Sequence, residues 1–165
     1  NMIVQVRNTN NVAVPKITIA LSSPEDKREL VFYQVGAGRS ISIPIEKKPN
    51  ELPPAVNAKV RISMAANEYI DITDKLNVNI EKGETEALLT VHNGAEQACA
   101  TLNITVKFVN GADIVYAQMQ ELQAPIEPGE STVLTFSLPE ELKEEGITFD
   151  RVEYAFNQAV AQKSE

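Results

Sequence analysis

Apolar and polar residues alternate one by one along much of this chain. Ile17, Ile19 and Leu21 alternate with Thr18 and Ala20, Ile41, Ile43 and Ile45 with Ser42 and Pro44, and Val60, Ile62 and Met64 with Arg61 and Ser63. Further on, Leu102, Ile104, Val106 and Phe108 alternate with Thr101, Asn103, Thr105 and Lys107, and Val152, Tyr154 and Phe156 with Arg151, Glu153 and Ala155. A period of two is the signature of a β-strand with unlike faces. It predicts antiparallel sheets, each with an apolar face on a core and a polar face in water. Ile70/Ile72 and Leu76/Val78/Ile80 add two shorter alternations. Turn residues separate the runs, among them Asn8-Thr9-Asn10-Asn11, Ser23-Pro24-Glu25-Asp26, Gly36-Ala37-Gly38, Asn110-Gly111 and Pro128-Gly129. Pro44 cannot donate to a ladder, so its run is expected at a sheet edge or a bulge. One segment reads as a short helix: residues 137–146 carry Pro139 near the start, acids in the first turn and Gly146 just past the end.

The pattern occurs twice. Val6-Arg7-Asn8 returns as Val91-His92-Asn93, and Ile17-Thr18-Ile19 as Ile104-Thr105-Val106. Val35-Gly36-Ala37-Gly38-Arg39-Ser40 returns as Ile126-Glu127-Pro128-Gly129-Glu130-Ser131, and the run from Val60 as the run from Val152. The offsets are 85, 87, 91 and 92 residues, growing as loop insertions in the second copy would make them grow. An ordered set of matches at a nearly fixed period is the mark of duplication. The chain is therefore expected to be all-β, with two tandem immunoglobulin-like β-sandwich domains, residues 1–82 and 83–165, joined at Glu81-Lys82-Gly83-Glu84. A linker that short restrains the two domains relative to each other.

Composition narrows the picture. With no Trp and 5% aromatics, the cores must be made chiefly of Ile, Val, Leu and Ala. No run approaches the 18 apolar residues of a membrane span. Cys99 is the only cysteine, so no intrachain disulfide forms. The net charge of −8 is uneven: residues 1–83 carry 11 basic and 9 acidic side chains, residues 84–165 carry 4 and 14. The acidic second part should repel nucleic acid and anionic lipid. The imbalance also suggests that Lys47, Lys48 or Lys59 of the first domain face acidic surface of the second, in a soft, salt-dependent contact.

The order of Val91, Asn93, Ala100, Ile104 and Val106 followed by Pro128-Gly129-Glu130-Ser131 resembles bacterial immunoglobulin-like accessory domains of the CARDB and FxLYD types. In the first copy the resemblance rests on Val6, Asn8, Ile17, Ile19, Gly38 and Ser40. It implies a stalk, spacer or protein-interaction module of a bacterial cell-envelope or secreted protein, and it carries over no catalytic residue.

Candidate chemistry is sparse. His92, the single histidine, and Cys99 do not assemble a nucleophile, base and orienting group, and a structural histidine is the expectation. Two His/Cys ligands at zinc spacing are absent. Asp71-Ile72-Thr73-Asp74 and Asn110-Gly111-Ala112-Asp113 fall short of a calcium loop. Asn103-Ile104-Thr105 fits the glycosylation pattern but lies in mid-strand. No cofactor and no enzymatic activity are expected. Tyr154 reads as core. Tyr33 and Tyr116, in corresponding strands, are the candidates for protein contact, with core packing as the other reading. The competing functions are a calcium- or carbohydrate-dependent adhesin and accessory domains of a larger hydrolase.

Overall fold

The computed structural model describes residues 2–24, 27–45, 55–123 and 125–163. Twelve strands run through these residues: β1 (Met2–Arg7), β2 (Val14–Ser22), β3 (Lys27–Val35), β4 (Ser40–Ile45), β5 (Asn57–Ser63), β6 (Tyr69–Asp71), β7 (Leu76–Lys82), β8 (Glu86–Asn93), β9 (Thr101–Asn110), β10 (Asp113–Leu122), β11 (Ser131–Ser137) and β12 (Arg151–Gln162). A 3-10 turn at Thr73–Lys75 and one short helix, α1 (Glu140–Glu144), complete the inventory. The helix starts after Pro139 and ends before Gly146, which has a left-handed backbone (φ 70°). No helix among the described residues is long and apolar enough to cross a membrane.

Four sheets form: β1-β4, β3-β2-β5, β11-β8-β7 and β10-β9-β12-β6. Every pairing between their strands is antiparallel. The first two enclose a core of Val14, Ile17, Ile19, Leu21, Phe32, Val35, Ile41, Ile43 and Ile45. The other two enclose a larger one around Leu89, Val91, Leu102, Ile104, Val106, Phe108, Phe136 and Leu138. Each such side chain contributes about 1.5–3 kcal/mol by leaving water, so aliphatic residues suffice without Trp.

The two halves have matching strand orders. β1-β4 over β3-β2-β5 in the first half corresponds strand for strand to β8-β11 over β10-β9-β12 in the second. The turn asparagines make similar sets of bonds. Asn8 donates through Nδ2 to the carbonyls of Val12, Val35 and Gly36 and accepts at Oδ1 from the Asn10 amide. Asn93 donates to the carbonyls of Gln97 and Ile126 and accepts from the Ala95 amide. The amides of Gly38 and Gly129 reach back to the Asn8 and Asn93 carbonyls at 2.9 and 2.8 Å. Both glycines have φ near +80°, 75° and 81°, a region that L side chains rarely adopt.

The division between halves differs from the one the sequence suggests. Leu76–Lys82 pairs with Glu86–Asn93 along its whole length, and the Gly83 amide closes the hairpin onto the Glu86 carbonyl. The expected boundary at 82/83 thus falls inside one sheet. β6 likewise pairs with β12, so the second core begins near Ile70. Turn chemistry and linker chemistry are the same residues, and Lys82-Gly83-Glu84 is a turn. Tyr154, read as core, is 41% exposed, although Val152 and Phe156 on either side of it along β12 pack against the second core.

Candidate functional site between the two halves

The polar face of β9, expected in water, is buried instead. Asn103 and Thr105 are at most 3% exposed, as are Asn157 and Gln158 on β12. The reason is a β-bulge. Phe156 pairs with Ile104 and Gln158 with Asn103, leaving Asn157 as the extra residue. A bulge re-aims the side chain it carries, and Asn157 points into the first half.

There it meets the edge of β4. Asn157 Oδ1 accepts the Ser42 amide at 2.8 Å, and Nδ2 lies 3.3 Å from the Ser42 carbonyl and 2.8 Å from both Asn103 Oδ1 and Thr105 Oγ1. The Thr105 hydroxyl donates to the Ser42 carbonyl at 2.6 Å. Gln158 does for β3 what Asn157 does for β4: its Oε1 accepts the Tyr33 amide at 2.5 Å. The first half therefore stands with two strand edges on the outer face of the β10-β9-β12-β6 sheet. Buried edge amides and carbonyls must be paired, and side-chain amides supply the partners that a neighbouring strand would. Glycosylation at Asn103 is incompatible with this burial.

Charge plays a small part in the joint. Arg39 Nη1 reaches Asp71 Oδ2 at 3.1 Å and the Thr73 hydroxyl at 2.8 Å, while Asp71 Oδ1 accepts from the Thr73 amide. Lys47 and Lys48 lie outside the described residues, and Lys59 is exposed on β5. The Leu76/Val78/Ile80 strand packs on the second core, away from the joint.

Beside the amide network a groove of about 350 Å³ opens between β3 and the outer face of β9 and β10. Tyr33 and Tyr69 form its aromatic wall, ring centroids 4.5 Å apart and planes tilted by 35°. Glu29, Asn103, Glu121 and Gln158 are among the residues that line the rest, with Val31 and Met119. Asn67 braces the wall, accepting from the Tyr69 amide and the Gln34 side chain and donating to the Pro15 carbonyl. Gln34 has a left-handed backbone, φ 53°, a conformation that costs a non-glycine residue energy. Burial, then the neighbouring Glu68 and Tyr33, raise the pKa of Tyr69, so at neutral pH it presents a phenol.

Of the two tyrosines singled out in the sequence, Tyr33 lines this groove. Tyr116 packs against Phe108, centroids 6.1 Å apart, beside the second core. The pair is not brought together; Tyr69 takes the place of Tyr116 beside Tyr33. The sequence carried one signal for the joint, the Asn and Thr residues interleaved in β9, but the same signal also fits a wet sheet face. His92 Nδ1 lies 2.9 Å from Ser131 Oγ across the β8–β11 ladder, an exposed cross-strand pair. Among the described residues no three His, Cys, Asp or Glu side chains are grouped to hold a metal ion. Cys99 is buried, with its thiol donating to the Thr101 carbonyl.

No known family model, curated protein or solved structure matches the chain at a significant level.

Proposed function

We propose that the chain is a non-enzymatic interaction or spacer module of a bacterial cell-envelope or secreted protein, built as two immunoglobulin-like sandwiches in tandem. The equivalent strand orders of the two halves support the tandem reading. The observation that carries the function is the joint. A buried amide network fixes one half on the other, and a fixed relative orientation is what a spacer or a composite binding surface requires. The groove at that joint is the surface it presents, with Tyr33 and Tyr69 as rigid contact groups that lose little entropy on binding. Its partner is an extended protein segment lying along the exposed part of β3. The tyrosine pair flanked by Glu29 and Glu121 favours a glycan as the second reading.

Tyrosine ring signals of the isotopically labelled protein, followed during titration with peptide and glycan libraries, test both. The proposal expects peptides to shift Tyr33 and Tyr69 together and Tyr69→Ala to lose the response with the fold intact. Glycans that shift those rings would favour the adhesin. Binding that leaves both rings unmoved would discard the groove.

A further inference from the structure

The groove beside the joint has a register and a sign. β3 stands at the end of its sheet, with β2 as its one ladder partner among the described residues. Its other edge turns to the second half, where Gln158 Oε1 holds the Tyr33 amide. In an antiparallel strand both backbone polar groups of a residue point to the same edge, and alternate residues point to opposite edges. The amides and carbonyls of Val31 and Glu29 therefore face the same way as those of Tyr33, into the groove that these residues line. Gln158 occupies the amide of Tyr33, so an added strand can run from Val31 toward the start of β3. The side chains of Glu29, Val31 and Tyr33 stand on the face of the sheet opposite Ile17, Ile19 and Leu21. Facing them is the outer face of the second sheet, where Glu121 pairs with Asn103 and Met119 with Thr105.

Among the described residues no Lys, Arg or His lines the groove. Two exposed carboxylates do, Glu29 from one half and Glu121 from the other. A third, Glu68, directly precedes Tyr69. Glu29 has a cation near it from outside the groove: Arg61 Nη2 lies 3.7 Å away, with the two side chains 74% and 59% exposed. A pair so open to water is weak, and a ligand's cation can replace it. Glu121 forms no ion pair among the described residues. The part of the chain that supplies Glu68 and Glu121 is acidic as a whole, with six basic and eighteen acidic side chains in residues 68–165. Such a field draws cations into a cleft, and the faces of Tyr33 and Tyr69 attract them further. An acidic strand is repelled, because like charges set opposite each other destabilise a pairing. A glycan offers no strand-like row of amides and carbonyls to Val31 and Glu29.

Resting on the reading of this groove as a peptide site, we propose that its occupant is an extended basic segment. It pairs through its backbone with Val31 and Glu29 and sets Lys or Arg side chains against Glu29, Glu121 and the two tyrosine rings.

Three peptides of one alternating Thr/Val design, with Lys, Ser or Glu at the same positions, test this by titration into the isotopically labelled full chain. The lysine peptide should shift the Tyr33 and Tyr69 rings together with the Val31 and Glu29 amides. It should bind roughly tenfold tighter than the serine peptide at low salt, and the glutamate peptide should bind most weakly. Glu29→Gln combined with Glu121→Gln should bring the lysine and serine peptides within about twofold of each other, with the circular dichroism spectrum unchanged. Molar salt should do the same to the parent protein, and decides alone should the variant fail to fold. Lysine and serine peptides that move the rings equally would overturn the basic partner and leave the peptide groove standing. So would a preference for lysine that survives the two glutamines or the salt. Ring shifts without the Val31 and Glu29 amides would overturn the strand pairing. If no peptide moves the rings, or only glycans do, the groove is not a peptide site and this inference falls with that reading.

Discussion

Asn157 holds Ser42 by both of its backbone polar groups, accepting the amide at 2.8 Å and lying 3.3 Å from the carbonyl through Nδ2. A side chain on one half thus imitates a strand partner for the other. Truncation leaves buried groups unpaired, which costs about 1–3 kcal/mol. Asn157→Ala should destabilise the protein by about that amount and uncouple the halves. Calorimetry should then resolve two transitions in place of one. A single, unshifted transition would mean that the network contributes nothing to coupling.

The joint should be indifferent to salt. Arg39–Asp71 is partly exposed and such pairs are worth at most about 1 kcal/mol, whereas the Asn157 and Thr105 bonds to Ser42 are buried and the Gln158 bond is partly so. Small-angle scattering profiles should superpose at low and high ionic strength. A change of shape with salt would return the orientation to electrostatics.

The two turn asparagines should be interchangeable in effect but not in place. Asn8→Ala and Asn93→Ala each remove a buried amide that ties three or two carbonyls together, at about 1–3 kcal/mol. Hydrogen exchange should speed up mainly in β1–β5 for the first and in β7–β12 for the second.

Alkaline stability should report on Cys99. Burial pushes its thiol from 9.0 up to about 11. The folded state therefore keeps a proton that the unfolded chain gives up first. That stabilisation is complete below pH 9 and is lost as pH rises through 11. Tyr69, also raised by burial, acts in the same direction. Cys99→Ala should lose less stability over this range than the parent protein. The thiol should also stay inert to disulfide reagents at neutral pH until the chain unfolds.

Alternation located the strands well, because a buried face demands a period of two wherever it occurs. β2, β4, β9 and β12 all lie where Ile17, Ile43, Ile104 and Tyr154 place them, and Pro44 does sit in a strand with a single ladder partner among the described residues. What alternation lacks is the identity of the neighbour. Asn103 and Thr105 have the parity of a wet face whether water or another half covers them. Leu76, Val78 and Ile80 read the same on either side of a boundary. The bulge at Asn157 was least legible, since one extra residue in a polar-apolar string leaves no mark until its partner strand is known. Tyr69 stayed hidden because its contact with Tyr33 depends on that joint.

An edge set on a face is a directional arrangement. The first half contributes the edges and the second contributes the face, so the pair has a head and a tail. Two equal faces would have closed the assembly by symmetry. This joint does not, and the same contact repeated from one sandwich to the next would propagate in one direction only, with the same turn at every step. The edge strands of the second half that correspond to β3 and β4 are β10 and β11, and they are the ends from which such a series would continue.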